Sequence, residues 1–252
     1  MNRPYENCFV TLIALGIFIT GYSNKETEFE KVLFEGIHEN DTAMISIAAQ
    51  SGASLNTFRA EGRLPLFVAL KLDHYESFQH LLRGGADPDL NVAEGGFPLA
   101  YHLLSPSNRR YLQGAIDFGL DVNIEIAGAG GIDLFTGEKR TFPLITIAAR
   151  RGHVDIVHDL IRAGADPMAR DSEGRSLFQN SVERGALQLA YFLLRREFVD
   201  LDAESEMDWW KEEFQWQEVD EHPRKRYWFR KLQDELAASG TAISFEGNPS
   251  DD

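Results

Sequence analysis

A glycine-centred turn returns along this chain at an almost fixed distance, and that regularity restricts the possible folds more than any other feature. The turns read Gly52-Ala53-Ser54-Leu55-Asn56, Gly85-Ala86-Asp87-Pro88-Asp89, Gly119-Leu120-Asp121-Val122-Asn123 and Gly164-Ala165-Asp166-Pro167. Their glycines stand 33, 34 and 45 residues apart; a further 33 residues reach Glu197, where the local outline persists without the glycine. A second signal keeps step. Leu64-Pro65-Leu66, Phe97-Pro98-Leu99 and Phe142-Pro143-Leu144 each stand 21 or 22 residues ahead of their glycine, and Ser176-Leu177-Phe178 stands 21 ahead of Glu197 without the proline. Self-similarity at this period marks small supersecondary units that cannot bury an apolar face alone and must stack on their neighbours.

Between the two signals each unit has room for two short helices and a tight turn. Proline is tolerated in a first helical turn, where its missing N–H would have had no partner. Small residues at Ala69, Ala100, Ala148 and Ala149 let adjacent inner helices approach closely. The second helix carries apolar residues at helical spacing, Phe78, Leu81 and Leu82 in one unit and Val154, Val157, Leu160 and Ile161 in another. Glycine ends that helix in a left-handed conformation at low cost, and the Asp or Asn beyond it holds the turn through its side chain.

Within 141–167, the residues Pro143-Leu144, Ala148-Ala149, Gly152-His153 and Gly164-Ala165-Asp166 follow one known pattern position by position. The chain resembles an ankyrin-repeat protein. The resemblance covers about residues 26–202, and it implies an all-α solenoid of about five helix-pair repeats, the array occupying 23–202. The first repeat lacks the opening motif, as a terminal repeat facing water does. The pattern's capping threonine is replaced by Leu64, Phe97 and Phe142, and its histidine after the leucine by Phe67, Ala100 and Ile145. A polar cap has been exchanged for apolar side chains, which either pack between repeats or stay exposed for a partner.

The long spacing places about a dozen extra residues in 124–141, where such repeats project finger-like turns; a lengthened finger, with two strands as one form, is expected there. Gly128, Gly130 and Gly131 do not make a phosphate-cradling loop, because no lysine followed by Ser or Thr opens a helix behind them. Phe135 either contacts a partner from the tip or folds back to staple the loop. Residues 203–252 hold all four tryptophans, Trp209, Trp210, Trp216 and Trp228. They read as a helical C-terminal cap covering the open end of the stack, followed by a disordered tail, "EGNPSDD". The alternative is a membrane-surface tether, with Arg224, Lys225, Arg226, Arg230 and Lys231 around Tyr227, Trp228 and Phe229.

The formal net charge of −15 disfavours nucleic acid, whose phosphates such a surface repels. Residues 1–22 read as a secretory signal: Arg3 precedes the apolar run Cys8–Thr20, which is short for a bilayer span. Tyr22 stands where a lipoprotein signal needs cysteine, so lipid anchoring is not expected. The single cysteine, Cys8, lies inside this segment, so no thiol chemistry or disulfide framework is expected of the mature chain. Seven histidines make no His-Glu-x-x-His pair, Gly174–Phe178 lacks the second glycine of a nucleophile elbow, and no pair of carboxylates stands out. No enzyme, cofactor or metal is expected.

The resemblance implies a module that binds a protein partner along a concave face of finger tips and inner helices. By repeat position, the candidate contact residues are Phe58, Arg59 and Glu61; Leu90, Val92 and Glu94; Phe135 and Lys139; and Arg170 and Asp171. With the signal segment, the expected compartment is the periplasm or the outside. A sharper expectation is an immunity protein that neutralises a type VI secretion effector of the lipase class. An accessory scaffold or chaperone for a periplasmic enzyme, and a secreted effector binding host proteins, are the alternatives.

Overall fold

The computed structural model describes residues 25–57, 63–132, 139–201 and 223–238. These residues are mostly helical, with one small two-stranded sheet, consistent with an all-α fold. The signal-like segment, the "DWWKEEFQWQ" stretch and the acidic tail lie outside the described residues. The chain divides into two compact units, 1–86 and 87–252.

The first unit holds two helical hairpins. Helix α1 (Lys25–His38) pairs with α2 (Thr42–Gln50), and α3 (Pro65–Lys71) pairs with α4 (Tyr75–Arg83). Asp41 caps α2, its carboxylate accepting the amides of Ala43 at 2.9 Å and Met44 at 3.1 Å. Pro65 is the first residue of α3, and buried Leu64 precedes it with no side-chain cap. Leu33, Ile37, Ile45, Leu66, Phe78 and Leu81 form the dry seam. Polar bonds tie one hairpin to the next. The His74 ring donates from Nδ1 to the Ile37 carbonyl at 2.7 Å, and the Ser77 hydroxyl donates to Asn40 Oδ1 at 2.7 Å.

In the second unit, α5 (Leu99–Leu103) leads through a 3₁₀ turn (Pro106–Asn108) into α6 (Arg109–Asp117). Strands β1 (Glu125–Ile132) and β2 (Lys139–Pro143) pair antiparallel, with Ile126 opposite Phe142 and a register shift beyond Ala127. The ribbon runs straight into α7 (Leu144–Arg150), followed by α8 (Val154–Arg162), α9 (Leu177–Glu183), α10 (Leu187–Arg195) and α11 (Pro223–Ala238). Pro98 and Pro143 stand one residue before their helices, at positions without a side-chain cap.

The apolar replacements have different fates. Phe142 is 1% exposed, and the Arg150 guanidinium lies 4.8 Å from its ring centroid. Phe97 stacks on Tyr101, centroids 4.5 Å apart. Where the proline is missing, the polar cap returns: Gln179 N donates to Ser176 Oγ at 3.1 Å and Ser176 N to Gln179 Oε1 at 2.8 Å, a capping box.

One ion pair joins two of these hairpins. Arg109, opening α6, grips buried Asp159 of α8 through Nε at 2.5 Å and Nη2 at 3.0 Å. The Asp159 carboxylate, hydrogen-bonded to it, pushes Arg109 further above its ordinary pKa. Helix α11 buries Leu232 and Leu236, sets Trp228 5.6 Å from Tyr191, and pairs Glu235 with Arg195 at 3.0 Å.

Candidate functional site

The loops ahead of the inner helices of the second unit share one local construction. An Asp accepts the amide two residues on: Asp87 from Asp89 at 2.9 Å, Asp121 from Asn123 at 2.9 Å, Asp166 from Met168 at 2.8 Å. These are side-chain-closed turns, which short Asp side chains favour. Each follows a helix ended by a positive-φ glycine, as at Gly119 (96°) and Gly164 (97°).

The loops are also bonded to one another. Asp121 N donates to Asp89 Oδ1 at 2.8 Å. Asn123 both accepts the Asp166 amide at 2.9 Å and donates to the Gly164 carbonyl at 3.2 Å. Thr141 on β2 donates its amide to Ser172 Oγ at 3.0 Å, while the Ser172 amide donates to the Thr141 carbonyl at 3.0 Å. Arg140 and Glu173 add an ion pair at 2.8 Å. Successive loops are thereby fixed before any partner arrives, which lowers the ordering cost of binding. Burial pushes the Asp89 carboxyl above its ordinary pKa, the Asp121 amide opposes that, and the Asp87 and Asp121 carboxylates add to it.

The candidate contact residues separate by burial. Glu94, Lys139 and Arg170 are exposed and Leu90 is half-buried. Val92 and Asp171 are buried, at 7% and 6% exposure, so neither side chain forms part of the accessible surface. Val92 sits in a tight turn where its amide donates to the Phe97 carbonyl at 3.0 Å, and the Leu99 amide reaches the Leu90 carbonyl at 2.9 Å. Phe58, Arg59, Glu61 and Phe135 lie outside the described residues. Exposed Met168 adds an apolar group beside Arg170.

Asp171 is the hub of an internal network. Its Oδ1 accepts the amides of Glu173 at 2.9 Å and Arg175 at 3.0 Å. Its Oδ2 accepts Asn180 Nδ2 at 3.0 Å and Arg175 Nε at 3.2 Å. Fully buried Asn180 in turn accepts Arg150 Nη1 at 2.6 Å. Sequence reasoning passed over Asn180, Arg150 and the Arg109–Asp159 pair. The Asp171–Asn180 offset spans a helix start, and the others join residues 30 and 50 apart with no motif to mark them.

With that geometry in view, comparison with known proteins narrows the family. Residues 141–172 match the ankyrin-repeat family model. The match takes in Thr141, α7, α8 and the loop to Ser172, and it supports an ankyrin-repeat protein. An L-asparaginase of Dirofilaria immitis is 22% identical over 169 residues, 67% of this chain and 26% of that protein. The palmitoyltransferase AKR1 of Kluyveromyces lactis is 34% identical over 83 residues, 33% of this chain and 11% of that protein. The chain thus spans only a minor part of the length of either relative. Ankyrin repeats are generally non-enzymatic, and a 22% identity is not convincing evidence of catalysis. Among the described residues, no cluster of three or more His, Cys, Asp or Glu is placed to hold a metal, and no helix is long and apolar enough to cross a membrane.

Proposed function

We propose that the chain is a protein-binding module that presents its loops, rather than any catalytic group, to a folded partner. Ankyrin repeats suggest protein–protein interaction, and the repeat matched at 141–172 includes one of the bonded loops. The observation that carries the proposal is the rung of bonds from Asp89 to Asp121, Asn123 to Asp166, and Thr141 to Ser172. In this reading there are about five repeats, the β1–β2 ribbon is a lengthened finger, and Leu90, Glu94, Lys139, Met168 and Arg170 form part of a concave contact face.

The finer form of the proposal is an exported protein, led to the periplasm by residues 1–22, that acts as the immunity partner of a lipase-class type VI effector. The apolar run Cys8–Thr20 behind Arg3 and the acidic charge of −15 support it. The test is capture of the tagged full-length chain from the periplasm of its source, together with the product of the adjacent gene. A stable one-to-one complex that abolishes a lipase activity is the expected result. A captured enzyme that keeps its activity overturns the immunity role in favour of a scaffold, and absence of any protein partner overturns the binding module itself.

A further inference from the structure

The ends of α7 and α9 remote from the loops, together with the start of α10 and one face of α11, line an open cleft of about 440 Å³. Arg150, Arg151 and Arg184 supply its charge, and Val154, Leu187 and Trp228 its apolar wall. Three arginines line this one cleft on a chain of net charge −15, and Arg184 is near enough to repel Arg150. Arg151 is held without a carboxylate: it donates to the carbonyls of Tyr101 at 3.1 Å and Leu104 at 3.0 Å, and lies 4.3 Å from the Tyr101 ring centroid. Exposed Arg184 has no side-chain partner among the described residues. Arg150 is half-buried, bonded to Asn180 and 3.6 Å from Glu183. Burial, then the repulsion of Arg184, pushes its pKa below the ordinary value despite Glu183. In addition, no side chain caps the N-terminus of α10, which also borders the cleft.

Arginines without a carboxylate partner, as Arg151 and Arg184 are among the described residues, can recognise an oxyanion, and their forked donors suit a carboxylate in particular. The Trp228 wall suits an apolar side chain next to that anion. A long polyanion is a poor fit, because the chain as a whole carries a charge of −15 and repels it, whereas one or two carboxylates fit a cleft of this size.

We propose that this cleft is a second docking site, separate from the loop surface, for a short acidic segment of a protein partner, with a carboxylate between Arg151 and Arg184 and an apolar side chain against Trp228. It rests on the protein-binding reading only in taking its anion from a protein. The probe is a fluorescein-labelled peptide of alternating Glu and Phe, read by anisotropy with the full chain, against the same peptide with Gln for Glu. Saturable binding of the Glu peptide, weakened about tenfold by Arg184→Gln and by the Gln peptide, is expected, since each removes a charge-assisted bond. Trp228→Ala is expected to weaken it as well, with the thermal melt of each variant confirming the fold. Equal binding by the two peptides, or an unchanged affinity in Arg184→Gln, overturns the proposal. Inorganic phosphate binding as tightly as the peptide overturns it in favour of a small-anion site. Capture of the loop-bound partner by Arg184→Gln chain remains as before, so failure here is distinct from failure of the binding module.

Discussion

Replacing Asp171 by alanine tests whether this residue works inside the protein or at its surface. The substitution removes an acceptor of four hydrogen bonds: two backbone amides, Glu173 and Arg175, and two side chains, Asn180 and Arg175. The Glu173 amide lies in an exposed loop and can turn to water, so its loss costs little. Asn180 is fully buried, and of its two amide hydrogens only one keeps a partner, the Ser176 carbonyl at 3.0 Å. Leaving the other hydrogen unpaired costs about 1–3 kcal/mol, and losing the charge-assisted Arg175 bonds adds about 1 kcal/mol for a group still partly open to solvent. The expected loss is about 3 kcal/mol, and Asp171→Asn recovers only part of it, because its amide nitrogen meets the donors of Asn180 and Arg175. Urea denaturation followed by circular dichroism measures the effect as a lower midpoint at unchanged slope. A loss under about 0.5 kcal/mol, the range of an ordinary surface substitution, would refute the network.

Other predictions follow from the same geometry. Gly164→Ala meets nothing within 4 Å, yet φ of 97° strains any Cβ-bearing residue, so a loss of about 1–2 kcal/mol is expected in the same urea assay. Ser176→Ala breaks the capping box of α9 and is expected to cost about 1 kcal/mol, whereas Ser105→Ala, which caps no amide, costs less than half as much. Burial, and then Arg162, lowers the pKa of His158, whose ring centroid lies 4.0 Å from that of Phe192; burial and then Arg151 lower that of His153. The unfolded chain therefore takes up protons first, so stability is complete above the ordinary histidine value of 6.5 and falls as pH drops below it. Urea midpoints between about pH 7.5 and about pH 5 should show this fall, and His158→Leu should make it shallower.

The helical hairpins were legible because their punctuation is local. Proline before an inner helix and glycine after an outer one act through their own backbone, so Pro143 and Gly164 mark their turns without reference to distant residues. The loop ladder was half legible. Asp and Asn beyond each glycine announce a closed turn, but the bond from Asn123 to Asp166 crosses 43 residues and needs the stack to exist first. Phe142 shows the same limit: its apolar character excludes a polar cap, while its partner Arg150 is on the next helix and carries no motif. Repeat position placed Asp171 at the surface beside Arg170, yet adjacent residues in a tight loop point different ways. Arg170 donates to the Gly174 carbonyl at the outside, and Asp171 turns inward to Asn180.

Site-specific photo-crosslinking tests the central claim most directly. A photoreactive residue placed in turn at Glu94, Lys139 and Arg170 in the loops, and at Gln113 and Arg162 in the outer helices α6 and α8, would be activated in the captured complex. All five positions are exposed. Crosslinks to one partner protein from the loop positions, with few or none from Gln113 and Arg162, are the predicted result. Crosslinks from the outer helices alone, or to no protein from any loop, would contradict the account.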